Sequence, residues 1–213
     1  MCFSATASFT AAAGLSIVGL VSLVSLYNSV NKHRLAMIAL VPLLFAIQQA
    51  IEGALWLTFN GQLDSSYLRI LPYGFLFFAL IIWPIWIPLS LYYYETIIVR
   101  KRQILITVFE GIIAAGILGW GVLKYGVSAD VYNHHIYYHI VNGYEWLAGA
   151  LYLLATIVPF FIAHDNRVKF FGLLLALSCI ASYLFWAVTF ASVWCFFAAV
   201  LSLCVLFFVR NRA

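Results

Sequence analysis

Residues 170–209 read FFGLLLALSCIASYLFWAVTFASVWCFFAAVLSLCVLFFV, 40 consecutive positions without Asp, Glu, Lys or Arg. As a single helix this stretch would be about 60 Å long at ~1.5 Å per residue, roughly twice the ~30 Å hydrocarbon core of a bilayer. It must fold back on itself as two spans, and the turn is expected at Thr189-Phe190-Ala191-Ser192.

Upstream, apolar length gives five further spans, at about 8–30, 35–59, 68–94, 104–126 and 144–163. The first ends at Asn31-Lys32-His33-Arg34 and the second at Asn60-Gly61. The third carries Pro72, Pro84 and Pro88, which kink a helix while neighbouring spans re-satisfy the freed carbonyls. The expected fold is therefore all-α, a single domain over 1–213 built as a bundle of seven transmembrane helices. Composition agrees. Of the 213 residues 66% are hydrophobic and 8% charged, against about 25% charged in a soluble domain. Such a chain cannot cover a soluble globule with polar surface, and a soluble enzyme, a disordered chain and a nucleic-acid binder are all excluded.

Lysine and arginine set the expected orientation. Nine of the eleven follow the odd-numbered spans: Lys32, Arg34, Arg100, Lys101, Arg102, Arg167, Lys169, Arg210 and Arg212. Only Arg69 and Lys124 fall on the other side. The N-terminus is then outside and the C-terminus cytoplasmic, as in a multi-pass protein of a cell's inner membrane. Gly111, Ala115 and Gly119 recur every four residues, a spacing that lets helix backbones approach closely.

That topology gathers the unusual side chains on the outer side. Glu52 sits about two turns inside the second span, where a carboxylate costs ~2.5–3.5 kcal/mol at the bilayer centre and is a functional candidate by default. Gln48 and Gln49 precede it. The loop Asp130-Val-Tyr-Asn-His134-His135-Ile-Tyr-Tyr-His139 holds three histidines; in a helix, His135 and His139 share a face at a spacing that suits two ligands on one metal. Cys2 becomes N-terminal if the initiator Met is removed. It then offers amine and thiol together, as a nucleophile or a bidentate ligand. Cys195 is expected on the same side, while Cys179 and Cys204 read as buried apolar cysteines.

The opening Met-Cys-Phe-Ser-Ala, with Gln48-Gln49-Ala50-Ile51-Glu52-Gly53-Ala54-Leu55-Trp56 and Phe190-Ala191-Ser192-Val193-Trp194-Cys195-Phe196, resembles a family of uncharacterised bacterial multipass membrane proteins. That pattern often has His where this chain has Gln48. The resemblance implies no reaction, but it picks out Cys2, Glu52 and Cys195. Ceramidase-type hydrolases need an HxxxH on the last span, microbial rhodopsins a lysine in the seventh, and quinone-linked thiol relays a CxxC; this chain has none of these.

The functional expectation is a zinc or copper site at the outer face, with ligands drawn from Cys2, Glu52, His135, His139 and Cys195. A membrane-embedded hydrolase would use Glu52 and Cys2 catalytically on a lipid-like or small apolar substrate. The alternatives are thiol chemistry at Cys2 without a metal, and a small transporter or accessory subunit, either as a homo-oligomer or in a larger membrane complex.

Overall fold

The computed structural model describes residues 4–27, 29–140 and 145–210. Ser4 opens the first helix, its side chain accepting a hydrogen bond from Ala7 N at 3.2 Å. Helix α1 (Ala5–Leu26) lies against α3 (Val41–Phe59), which follows the short α2 (Lys32–Ala39). Pro42 stands in the first turn of α3, where a missing N–H costs nothing. After a 3-10 turn at Ser65–Arg69 come α4 (Leu71–Leu76), a π-helical segment (Phe77–Ile82) and α5 (Trp83–Tyr94). The widened turn lies directly before Pro84, the place where a proline ring would crowd the carbonyl four residues back.

Helix α6 (Ile98–Tyr125) is followed by strands β1 (Val127–Tyr132) and β2 (His135–Ile140), then α7 (Glu145–Ile162), α8 (Asn166–Trp186), α9 (Phe190–Ser202) and α10 (Val205–Arg210). Among the described residues six helical stretches can by length and composition cross a membrane, α9 and α10 counting as one and α2 and α3 as another; Trp146–Ile162 is apolar but shorter. The chain is a helical membrane protein. The charge-free stretch does fold back, with its break at 187–189, a little before the expected turn.

One element departs from an all-α bundle. Residues 127–140 form an antiparallel hairpin, with Tyr132 opposite His135 and Val127 opposite Ile140. Its two-residue turn is Asn133-His134, both at positive φ (46° and 61°). That is the primed geometry whose twist matches the strands, and Asn tolerates it well. The chain enters the hairpin through Gly126, φ 76°, a conformation that a side chain would strain. The hairpin closes one end of the bundle: Ile136 is fully buried, Tyr138 stacks on Phe75 at 4.6 Å, and both belong to a core with Trp56, Leu76 and Cys195.

The small-residue stripe is used inside the chain. A Cβ on Gly111 would lie 1.8 Å from the carbonyl oxygen of Pro84, and one on Gly119 would press on Ile81. These glycines bring α6 onto α5 and the π segment. The stripe is therefore used in contacts within the chain.

Candidate functional site

Helix α3 presents Gln48, Gln49 and Glu52 on one face, three and four residues apart, and all three are completely buried. Ser192 and Cys195 stand one turn apart on α9 and face them. Ser192 Oγ donates to Glu52 Oε1 at 2.5 Å, and Gln49 Nε2 donates to Glu52 Oε2 at 3.2 Å. Trp83 Nε1 donates to Gln48 Oε1 at 2.8 Å, its indole held by Phe45 stacked 3.9 Å away. The Cys195 side chain interacts with both Gln48 and Glu52. Three helices distant in sequence are thus stitched together by polar groups in an apolar bundle. One buried amide atom in the cluster, Gln49 Oε1, has no hydrogen-bond partner among the described residues.

Of the expected site residues, the structure brings Glu52 and Cys195 together. Cys2 lies outside the described residues, but Ala5, three positions on, packs against the core that holds Cys195, Trp56 and Ile136. His135 is buried at the same end, its ring 6.1 Å from that of Trp186. Burial holds its imidazole below the ordinary value and so favours the neutral ring.

His139 is a correction. The shared helical face does not exist, because the segment is a strand. Four residues then span about 13 Å rather than one helical turn, too far for two ligands of one ion. His139 is exposed, with Nε2 2.6 Å from Asp130 Oδ2 across the hairpin. Asp130 lies opposite Tyr137 in the strand register, and its carboxylate reaches the diagonal neighbour His139. Among the described residues no group of three or more His, Cys, Asp or Glu side chains is gathered as a metal would require.

The sequence reading missed Ser192 as the partner of Glu52 and Trp83 as the partner of Gln48. Ser192 was visible as a polar residue one turn before Cys195, on the same face.

It also missed a second polar cluster, at the opposite end of the bundle. Glu95, between α5 and α6, accepts from the backbone N–H of Thr96 and Ile97 at 2.8 Å each and from His164 N at 2.7 Å. The His164 ring nitrogen Nδ1 stands 2.9 Å from the same carboxylate. Tyr94 donates to Asp165 at 2.7 Å, and Arg100 caps the end of α7 through the carbonyls of Ile162 and Ala163. Burial pushes the Glu95 carboxyl up, but the N–H groups of Ile97, His164 and Thr96, with the His164 ring, outweigh it and hold it below its ordinary 4.5. A depressed carboxyl contributes stability that is complete above its ordinary value and lost as the pH falls through the folded one. Glu95→Gln is therefore expected to cost about 1–3 kcal/mol at neutral pH. The gap to the wild type should close as the pH falls below 4.5. Thermal unfolding in detergent across that range measures it, and parallel curves would contradict the assignment.

Beside the Glu52 cluster lies a cavity of about 730 Å³, walled mainly by α7, α8 and α9 and reaching Ala191 and Cys195. A smaller cavity of about 50 Å³ shares Tyr152, Trp194 and Cys195 with it and touches Trp83.

The whole chain, residues 1–213, matches the Family of unknown function (DUF6629), and the protein belongs to that family. No curated protein and no solved structure matches it.

Proposed function

We propose that this protein holds one zinc or copper ion where α3 meets α9, at the outer face of a bacterial inner membrane, with the N-terminus outside. The ligands are Glu52 and Cys195 from the two helices, completed by His135 from the hairpin and by Cys2. Carboxylate, thiolate and neutral imidazole form the mixed O, S and N set that these borderline metals take. The observation that carries the reading is a buried amide oxygen, Gln49 Oε1, left without a partner beside the Glu52 carboxylate. Native interiors rarely leave such an acceptor unsatisfied, so its presence marks a place that a bound group completes. For Cys2, support comes from Ala5: three residues of chain span at most about 10 Å from the core that holds Cys195.

With water in place of one of these four ligands, the metal would make that water acidic enough to serve as hydroxide near neutral pH. The neighbouring apolar cavity suits a lipid-like substrate, so the reaction class is hydrolysis of such a molecule, with Glu52 as ligand or general base. Elemental analysis of the purified full chain tests the site. The wild type should carry close to one zinc or copper per chain, and Glu52→Gln and Cys195→Ser should each lose most of it while keeping the chromatographic profile of the wild type. Less than a tenth of an equivalent in the wild type, or full occupancy in both variants, overturns the reading.

A further inference from the structure

The cavity of about 730 Å³ is far larger than the water-sized voids of a packed interior and falls within the range of ligand pockets. Gly149 and Leu153 of α7 and Ile180, Tyr183 and Leu184 of α8 form its rim, and all but Gly149 of these side chains are exposed, on helices whose outer faces meet hydrocarbon. The opening is thus lateral, towards the membrane interior. At the inner wall stands Trp194, buried but for 6% of its surface, its ring against Phe190 at 5.3 Å and Tyr152 at 5.9 Å. Trp194 lines both cavities, and its indole N–H has no acceptor among the described residues. A buried tryptophan N–H ordinarily finds one. In a bilayer the acceptors that arrive with an apolar chain attached are the carbonyls of acyl lipids.

From these observations we infer that the paired cavities bind a single acyl chain entering between α7 and α8, with its carboxyl or ester carbonyl accepting a hydrogen bond from Trp194 Nε1. The chain fills the larger cavity, and its carbonyl end lies at the wall shared with Cys195. The inference does not depend on a metal at Glu52, although it would supply the substrate class if one is bound.

Photo-crosslinking of the full chain in detergent micelles tests it, with three probes that carry the same mid-chain diazirine: palmitic acid, palmitoyl-lysophosphatidylcholine and hexadecane. At least one carbonyl probe should label peptides containing Gly149–Leu153 or Ile180–Ala191 saturably, and the one that does identifies the source as free acid or ester. A Cβ on Gly149 meets nothing within 4 Å, so Gly149→Phe fills the cavity without forcing the backbone. It should cut this labelling at least about tenfold at unchanged thermal stability. Trp194→Phe removes the N–H together with part of the ring, and hexadecane reports the loss of ring alone. Binding of the carbonyl probe should weaken about 3- to 10-fold more than that of hexadecane, the difference being the effect of one hydrogen bond. Labelling spread evenly over all lipid-facing helices, or unchanged in Gly149→Phe, overturns the inference. Glu52→Gln separates the two readings: it should lose metal and retain labelling.

Discussion

A Gly111→Val chain is expected not to reach the native bundle at all. The added side chain would begin 1.8 Å from the Pro84 carbonyl oxygen and 3.3 Å from the Ala155 methyl, so α5 and α7 close over this one position from two sides. A flexible neighbour could turn away, but a helix backbone cannot, and α5 is held in place by the Trp83–Gln48 hydrogen bond and its stack on Phe45. Overpacking of an ordinary core costs about 1–3 kcal/mol, and a clash with rigid backbone lies at or beyond the top of that range. Gly116, on the same helix with open space around its Cβ, is the control, and Gly116→Val should fold. Size-exclusion profiles of the two variants after mild detergent extraction make the comparison. A monodisperse Gly111→Val chain with wild-type melting would show that α5 and α6 are not in this contact.

The second large effect is expected at Glu52 and Ser192, 140 residues apart in sequence and 2.5 Å apart in space. Glu52→Ala removes the acceptor of both Ser192 and Gln49 and leaves those donors buried. Each unsatisfied group costs about 1–3 kcal/mol, so a loss of roughly 2–6 kcal/mol is expected. Ser192→Ala should cost less, because Gln49 still donates to the carboxylate. The double variant should be more stable than the sum of the two losses predicts, by about 0.6–1.7 kcal/mol, the range measured for hydrogen bonds between membrane helices. Unfolding by denaturing detergent supplies the four stabilities of the cycle. Strict additivity would mean that the two side chains do not share a bond.

The spans were legible because hydrophobic length is a one-dimensional property. Forty residues without a charge admit no other reading in a bilayer. Glu52 was legible for a related reason, since its cost depends on depth alone. The hairpin was not. His135 and His139 fit a helical period, yet the same segment is dense in Val, Ile and Tyr around Asn133-His134, the composition of two strands and a tight turn. The four-residue coincidence of histidines obscured that signal. Partners far apart in the chain were beyond any local pattern: Ser192 with Glu52, Trp83 with Gln48, and His164 with Glu95. The basic triplet Arg100-Lys101-Arg102 falls between the spans that hydrophobic length defines at 68–94 and 104–126. It lies within the first turns of α6, where Arg100 reaches the last carbonyls of α7. The larger cavity is lined jointly by the π segment, α6, β2, α7, α8 and α9, a property that no single segment carries.

The π-helical segment between α4 and α5 has a rotational consequence. Closing each turn to the fifth residue rather than the fourth inserts one surplus position, and one position in an α-helix is worth about 100° of azimuth. That offset lets Phe75 point at the capping hairpin while Trp83, on the same span, points at Gln48. Shortening Phe77–Ile82 by one residue would dial the indole away from its glutamine, with every hydrophobic side chain still in the membrane.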